Sequence, residues 1–90
     1  MSVVGGREIA EVRRHHLATL ACEVEARGLG WRFVGPGEAL LGVRGPRTRH
    51  EIMVVATPDG AGWSYLWPGG GIADVTGVVQ VADQLVRLLT

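Results

Sequence analysis

Three clusters of turn-forming residues, Gly35-Pro36-Gly37, Gly45-Pro46 and Pro58-Asp59-Gly60, cut the middle of this chain into strand-length pieces. Proline presets φ and glycine accepts positive φ, so each cluster turns the chain sharply. A parallel strand pair needs a crossover of a dozen residues or more, whereas connections this short join only antiparallel neighbours. Between Gly30 and Pro68 the apolar pattern has a period of two. Trp31–Val34, Ala39–Arg44, His50–Thr57 and Trp63–Trp67 therefore read as a four-stranded antiparallel meander.

The flanking segments carry helical periodicity. Over residues 7–27, Ile9, Val12, His16, Leu17, Leu20 and Val24 share one face of a 3.6-residue wheel, and Gly28 and Gly30 end the pattern. After Pro68 and the run Gly69-Gly70-Gly71, Asp74 or Thr76 is placed to cap a second helix reaching Leu89. Its inner stripe is expected to be Val75, Val78, Val79, Ala82, Leu85, Val86 and Leu89. Val81 and Leu88 widen the apolar arc, and Asp83 and Arg87 are spaced for a solvent-side ion pair. The expected order is α-β-β-β-β-α, an α+β fold. Both helices pack on one face of the meander in a two-layer sandwich.

Composition bounds what such a fold can do. Residues 1–90 show no linker, repeat or low-complexity tract and read as a single domain. Nine basic and nine acidic side chains leave a formal net charge of zero. That balance argues against a protein that coats nucleic acid or a membrane surface by charge alone. With 47% apolar and 20% charged residues, the chain is too hydrophobic for a disordered tail. No apolar run has the length of a membrane span, and the N-terminus lacks the layout of a signal peptide. A single cysteine, Cys22, cannot form an internal disulfide, so a cytoplasmic location is expected.

Three short stretches, Val43-Arg44-Gly45-Pro46-Arg47, Trp63-Ser64-Tyr65-Leu66-Trp67 and Ile72-Ala73-Asp74, carry a resemblance across residues 8–89. In them the chain resembles a set of small proteins predicted from actinobacterial genomes. Those proteins share an N-terminal helix, a strand ending in V-R-x-P, a Trp-rich strand and a C-terminal helix. The resemblance implies the α+β fold and brings with it no activity and no catalytic residue.

Every aromatic residue falls in two strands. Trp63, Tyr65 and Trp67 alternate, as do Trp31 and Phe33, so each set points to one side of its strand. Two readings stand: a core beneath the helices, or a platform on the open side that binds a ligand or partner. The third strand is apolar on both faces over Ile52–Ala56, whereas a half-exposed antiparallel strand should alternate. Two helices cover only one face of the sheet. In so small a domain a second copy of the chain is the simplest cover for the other, and a homodimer is expected.

Other candidate groups are weaker. Arg44, Arg47 and Arg49 share one turn, and their guanidinium forks suit an anion or nucleic-acid contact. No aromatic side chain is interleaved there to stack bases, so a solvated hairpin tip is the simpler reading. His15 and His16 diverge by about 100° on a helix, and His15 and Cys22 are two turns or about 10 Å apart. No ligand spacing for a metal results, and no metal or other cofactor is expected. The glycine run before the second helix lacks the Lys and Ser/Thr of a P-loop. Cys22 has no acidic group to orient a neighbouring histidine, and Ser64 sits mid-strand without a nucleophile elbow. The expectation is a non-catalytic protein-interaction or accessory module, chaperone-like in kind. The alternative is a small-molecule binding protein or small enzyme with a pocket lined by Trp31, Trp63, Tyr65 and Trp67.

Overall fold

The computed structural model describes residues 5–47 and 49–90, with side chains from Glu8 onward. Helix α1, Gly5–Ala26, leads into β1, Gly30–Val34, and then β2, Leu40–Arg44, β3, Glu51–Asp59, β4, Gly62–Trp67, and β5, Gly71–Asp74. Helix α2, Val78–Leu89, follows. The five strands form one antiparallel sheet in sequence order. The fold is α+β, as expected, with one strand more than the meander read from the sequence. That strand comes from the Pro68-Gly69-Gly70 loop, which reverses the chain instead of releasing it. Gly69 and Gly70 take φ of 95° and 86°, a left-handed region that side chains rarely occupy, and Trp67 pairs with Gly71 across the loop.

Asp74 is a cap, one step earlier than α2 itself. Its carboxylate accepts from the Thr76 backbone N–H and hydroxyl, each at 2.8 Å, and starts a 3-10 turn over Val75–Gly77. Gly77, with no side-chain cap, then opens α2.

Both helices lie against one side of the sheet. Leu17, Leu20, Ala21 and Val24 of α1 and Val81, Ala82, Leu85 and Leu89 of α2 are buried together with Leu41, Val43, Val54, Ala56, Tyr65 and Trp67. The α2 stripe is rotated from the sequence expectation: Val81 is core and Val79 is 44% exposed. The anticipated Asp83–Arg87 pair is replaced by a bond between the two helices. Arg27, just past the end of α1, donates to Asp83 at 2.8 Å and to Glu23, which holds the two helices side by side. In α1, Ile9 and Val12 are exposed, in contrast to the rest of their stripe. A helix of 22 residues is about 33 Å long, whereas a strand of five or six residues spans about 17–20 Å. The helix therefore outruns the shorter strands β1 and β2 that it packs on.

One side chain ties the layers together. Tyr65 is fully buried, and its hydroxyl donates to the His16 backbone carbonyl of α1 at 2.6 Å. Burial pushes its phenol up to about 12, so it stays a neutral donor at ordinary pH. Beside it, the Trp67 ring occupies the space a Cβ on Gly71 would need, so β5 can close on β4 only with glycine at that position. Tyr65→Phe, which keeps the ring and removes the donor, is expected to cost about 1 kcal/mol and about 4–8 °C in Tm. Gly71→Ala, which forces the indole aside, is expected to cost about 1–3 kcal/mol. Thermal unfolding followed by circular dichroism measures both.

Candidate functional site

Because side chains alternate along a strand, fixing Tyr65 inward turns Ser64 and Leu66 to the face that no described helix covers. The register carries this across the whole sheet. Val34 pairs with Leu40, Leu40 with Val55, Val55 with Leu66 and Leu66 with Ile72, so one apolar residue from each strand forms a straight row on the open face. The first four are half-buried by one another, and Ile72 is 63% exposed.

The two ends of this face carry opposite charge. At one end Arg32, Arg44 and Glu51 point outward. Arg32 holds Glu51 with two bonds, of 2.9 and 3.0 Å, and this bidentate grip keeps the Glu51 carboxyl below its ordinary range. The carboxylate lies over Gly42, filling the space a side chain there would take. At the other end, Asp59 accepts from the Ser64 hydroxyl at 3.0 Å and Asp74 caps Thr76. The row thus lies between a basic rim and an acidic rim.

The sheet's aromatic side chains point the other way. Tyr65 and Trp67 are core, Trp63 and Phe33 pack at the edge of the core, and Trp31 is 38% exposed. Trp31 donates from Nε1 to Glu25 at 2.7 Å and meets Phe33 edge-on at 5.5 Å. The platform of rings on the open side is therefore corrected: all five rings share the helix-covered side, and the open face is aliphatic. Of the proposed arginine contact, Arg44, Arg47 and Arg49 are all exposed, while Thr48 between them lies outside the described residues. A cavity of about 420 Å³ lies near that loop, lined by Pro46, Arg47, Leu89 and Thr90. None of the five rings lines it.

A cluster absent from the sequence reading sits where α1 crosses β4. Arg13 donates to the Ala56 carbonyl at 2.9 Å and lies 5.7 Å from the Trp63 ring centre. The His16 ring lies 5.4 Å from the same indole and 5.5 Å from His15. Its signal in the sequence is the i, i+3 spacing of Arg13 and His16, which puts both over one strand residue. Cys22 is exposed. Among the described residues, no group of three or more His, Cys, Asp or Glu side chains is placed to hold a metal ion. No described helix is long and apolar enough to cross a membrane.

Comparisons with family models, curated proteins and solved structures find no match to this chain. The reading of the site rests on its geometry.

The His16 imidazole gives that geometry a pH signature. Burial lowers its proton affinity below the ordinary value of 6.5, neighbouring His15 lowers it further, and Asp74 opposes both. The unfolded chain therefore takes up this proton at higher pH than the folded one. The stability contributed by neutral His16 is complete above about 6.5 and is lost as pH falls through the lowered folded value. Urea midpoints compared between pH 7.5 and 5.5 should fall more for the parent chain than for His16→Gln; equal falls would remove the assignment.

Proposed function

We propose that this protein is a non-catalytic protein-interaction or accessory module, chaperone-like in kind, that works as a homodimer in the cytoplasm. The observation that carries the reading is the apolar row Val34, Leu40, Val55, Leu66 and Ile72, which crosses all five strands on the face opposite the helices. An antiparallel sheet with one solvated face normally alternates apolar and polar residues, and here the alternation fails in every strand at the same level. Removing that row from water contributes roughly 25 cal/mol per Å² of apolar area, a gain that a domain of this size lacks from its single core. The exposed thiol of Cys22 suits a reducing compartment.

The alternative, a ligand pocket lined by Trp31, Trp63, Tyr65 and Trp67, has less support. Tyr65 and Trp67 fill the core and keep no free surface for a ligand. Among the described residues, the buried side-chain nitrogen and oxygen atoms all have hydrogen-bond partners. No buried polar group is thus held in reserve for a substrate.

Light scattering at tens of micromolar should give twice the 9.6 kDa chain mass, falling toward the monomer on dilution. Ile72→Asp and Leu66→Asp, on the open face, should weaken self-association at least tenfold while the far-ultraviolet circular dichroism is kept. Leu88→Asp, on the exposed side of α2, should leave it unchanged. A monomeric mass at every concentration contradicts the reading.

A further inference from the structure

Resting on the homodimer just argued, we propose that two copies meet sheet to sheet with row laid on row. The strands of the facing sheets then run aligned and are not crossed at right angles. The apolar part of the open face is a line. It takes one residue from each of five strands, and at about 4.8 Å per strand it is about 19 Å long. It is one residue deep. The next outward positions, about 6.8 Å away along the strands, are Arg32, Gly42 and Met53 on one side. On the other they are Thr57, Ser64 and Asp74. Of these six only Met53 adds to the apolar line.

The shape of the line fixes the crossing. An isologous face-to-face contact has its two-fold axis in the interface plane, and turning that axis through an angle turns the second row through twice that angle. At a right-angled crossing only the centre of each row meets apolar atoms. The two ends then lie along β3, one between Met53 and Glu51 and the other between Thr57 and Asp59. Polar groups there would lose water without gaining partners, which is costly. With the rows superposed, all five aliphatic residues meet aliphatic residues. The polar positions fall at the rim, which matches the apolar centre and wet edge of protein interfaces. Glu51 and Asp59, two outward positions from the row, lie about 14 Å from it, beyond a Debye length at physiological salt. Sheets that pack aligned sit about 30° apart because each is twisted, which moves the ends of a 19 Å row by only about 5 Å. Faces about 24 Å wide and 20 Å tall bury on the order of 1,000 Å² together, the lower limit of a specific interface.

Two axis directions superpose the rows. Along the row, every row residue lies opposite itself; along β3, Val34 lies opposite Ile72. At a right-angled crossing, Val34 lies about 14 Å in the interface plane from both Val34 and Ile72 of the second copy, too far for a short linker. Val34→Cys, Val55→Cys and Ile72→Cys, each made with Cys22→Ser and checked for parental circular dichroism, read the difference with a short bis-maleimide. Val55→Cys is central at every crossing and should give a covalent dimer whenever the open faces meet. Val34→Cys and Ile72→Cys should also cross-link, each with itself or only with the other, and either pattern supports superposed rows. A dimer by mass that cross-links through Val55→Cys alone overturns the alignment and leaves the homodimer through this face standing. A dimer that none of the three variants cross-links meets through another surface, which overturns the face as well. A chain that is monomeric by mass at tens of micromolar overturns the homodimer itself.

Discussion

Tyr65 holds the two layers in place. Its ring is buried whole in β4, and its hydroxyl reaches the backbone of α1. A buried phenol without that acceptor would lose roughly 1–3 kcal/mol, a sizeable share of the stability of a domain this size. Burial of the Trp63, Tyr65 and Trp67 rings selects which side of β4 faces the helices, with the hydroxyl bond adding to it, and the pleat transmits that choice to every strand through the register. Trp63 and Trp67 go inward with Tyr65, while Ser64 and Leu66 go outward. A slip of one residue would reverse all of them.

The properties of the open face follow from that choice. With all five rings committed to the helix side, the outward positions hold aliphatic and charged residues together with Gly42, Met53, Thr57 and Ser64. The chain places one aliphatic residue per strand at the same level, with Arg44 and the Arg32–Glu51 pair on one side of it and Asp59 and Asp74 on the other. A sheet face meant only for water has no need of such a row.

Much of this was legible in the sequence. The turn clusters at Gly35–Gly37 and Gly45-Pro46 decide antiparallel pairing because their chemistry is local, and the helices announce themselves by their period; the third turn falls later than expected, at Gly60-Ala61, because Pro58 and Asp59 continue β3 and pair with Trp63 and Gly62. The two-faced apolar character of Ile52–Ala56 is seen in β3, where Val54 and Ala56 enter the core and Val55 lies on the open face. Three features were hidden because they depend on distant partners. Strand β5 has only four residues, too few for a period to show, and its existence depends on Trp67 seating over Gly71. The Arg27–Asp83 bond joins residues far apart in the chain, so local spacing favoured Arg87 instead. The aromatic alternation in β1 and β4 showed that the rings share a side. Which side that is depends on where the two helices pack, with the rings buried beneath them and Tyr65 bonded to α1, and a pattern of period two carries no information about that packing.

The central claim is that the aliphatic row is buried between two copies while the core beneath the helices is buried within one. Methyl NMR with a soluble paramagnetic agent measures this residue by residue. The account predicts that the methyls of Val34, Leu40, Val55, Leu66 and Ile72 are shielded from the agent at high protein concentration and become exposed on dilution. Those of Leu17, Leu20 and Leu85 should stay shielded throughout, and that of Leu88 exposed throughout. Row methyls that stay as open to the agent as Leu88 at millimolar protein would contradict it.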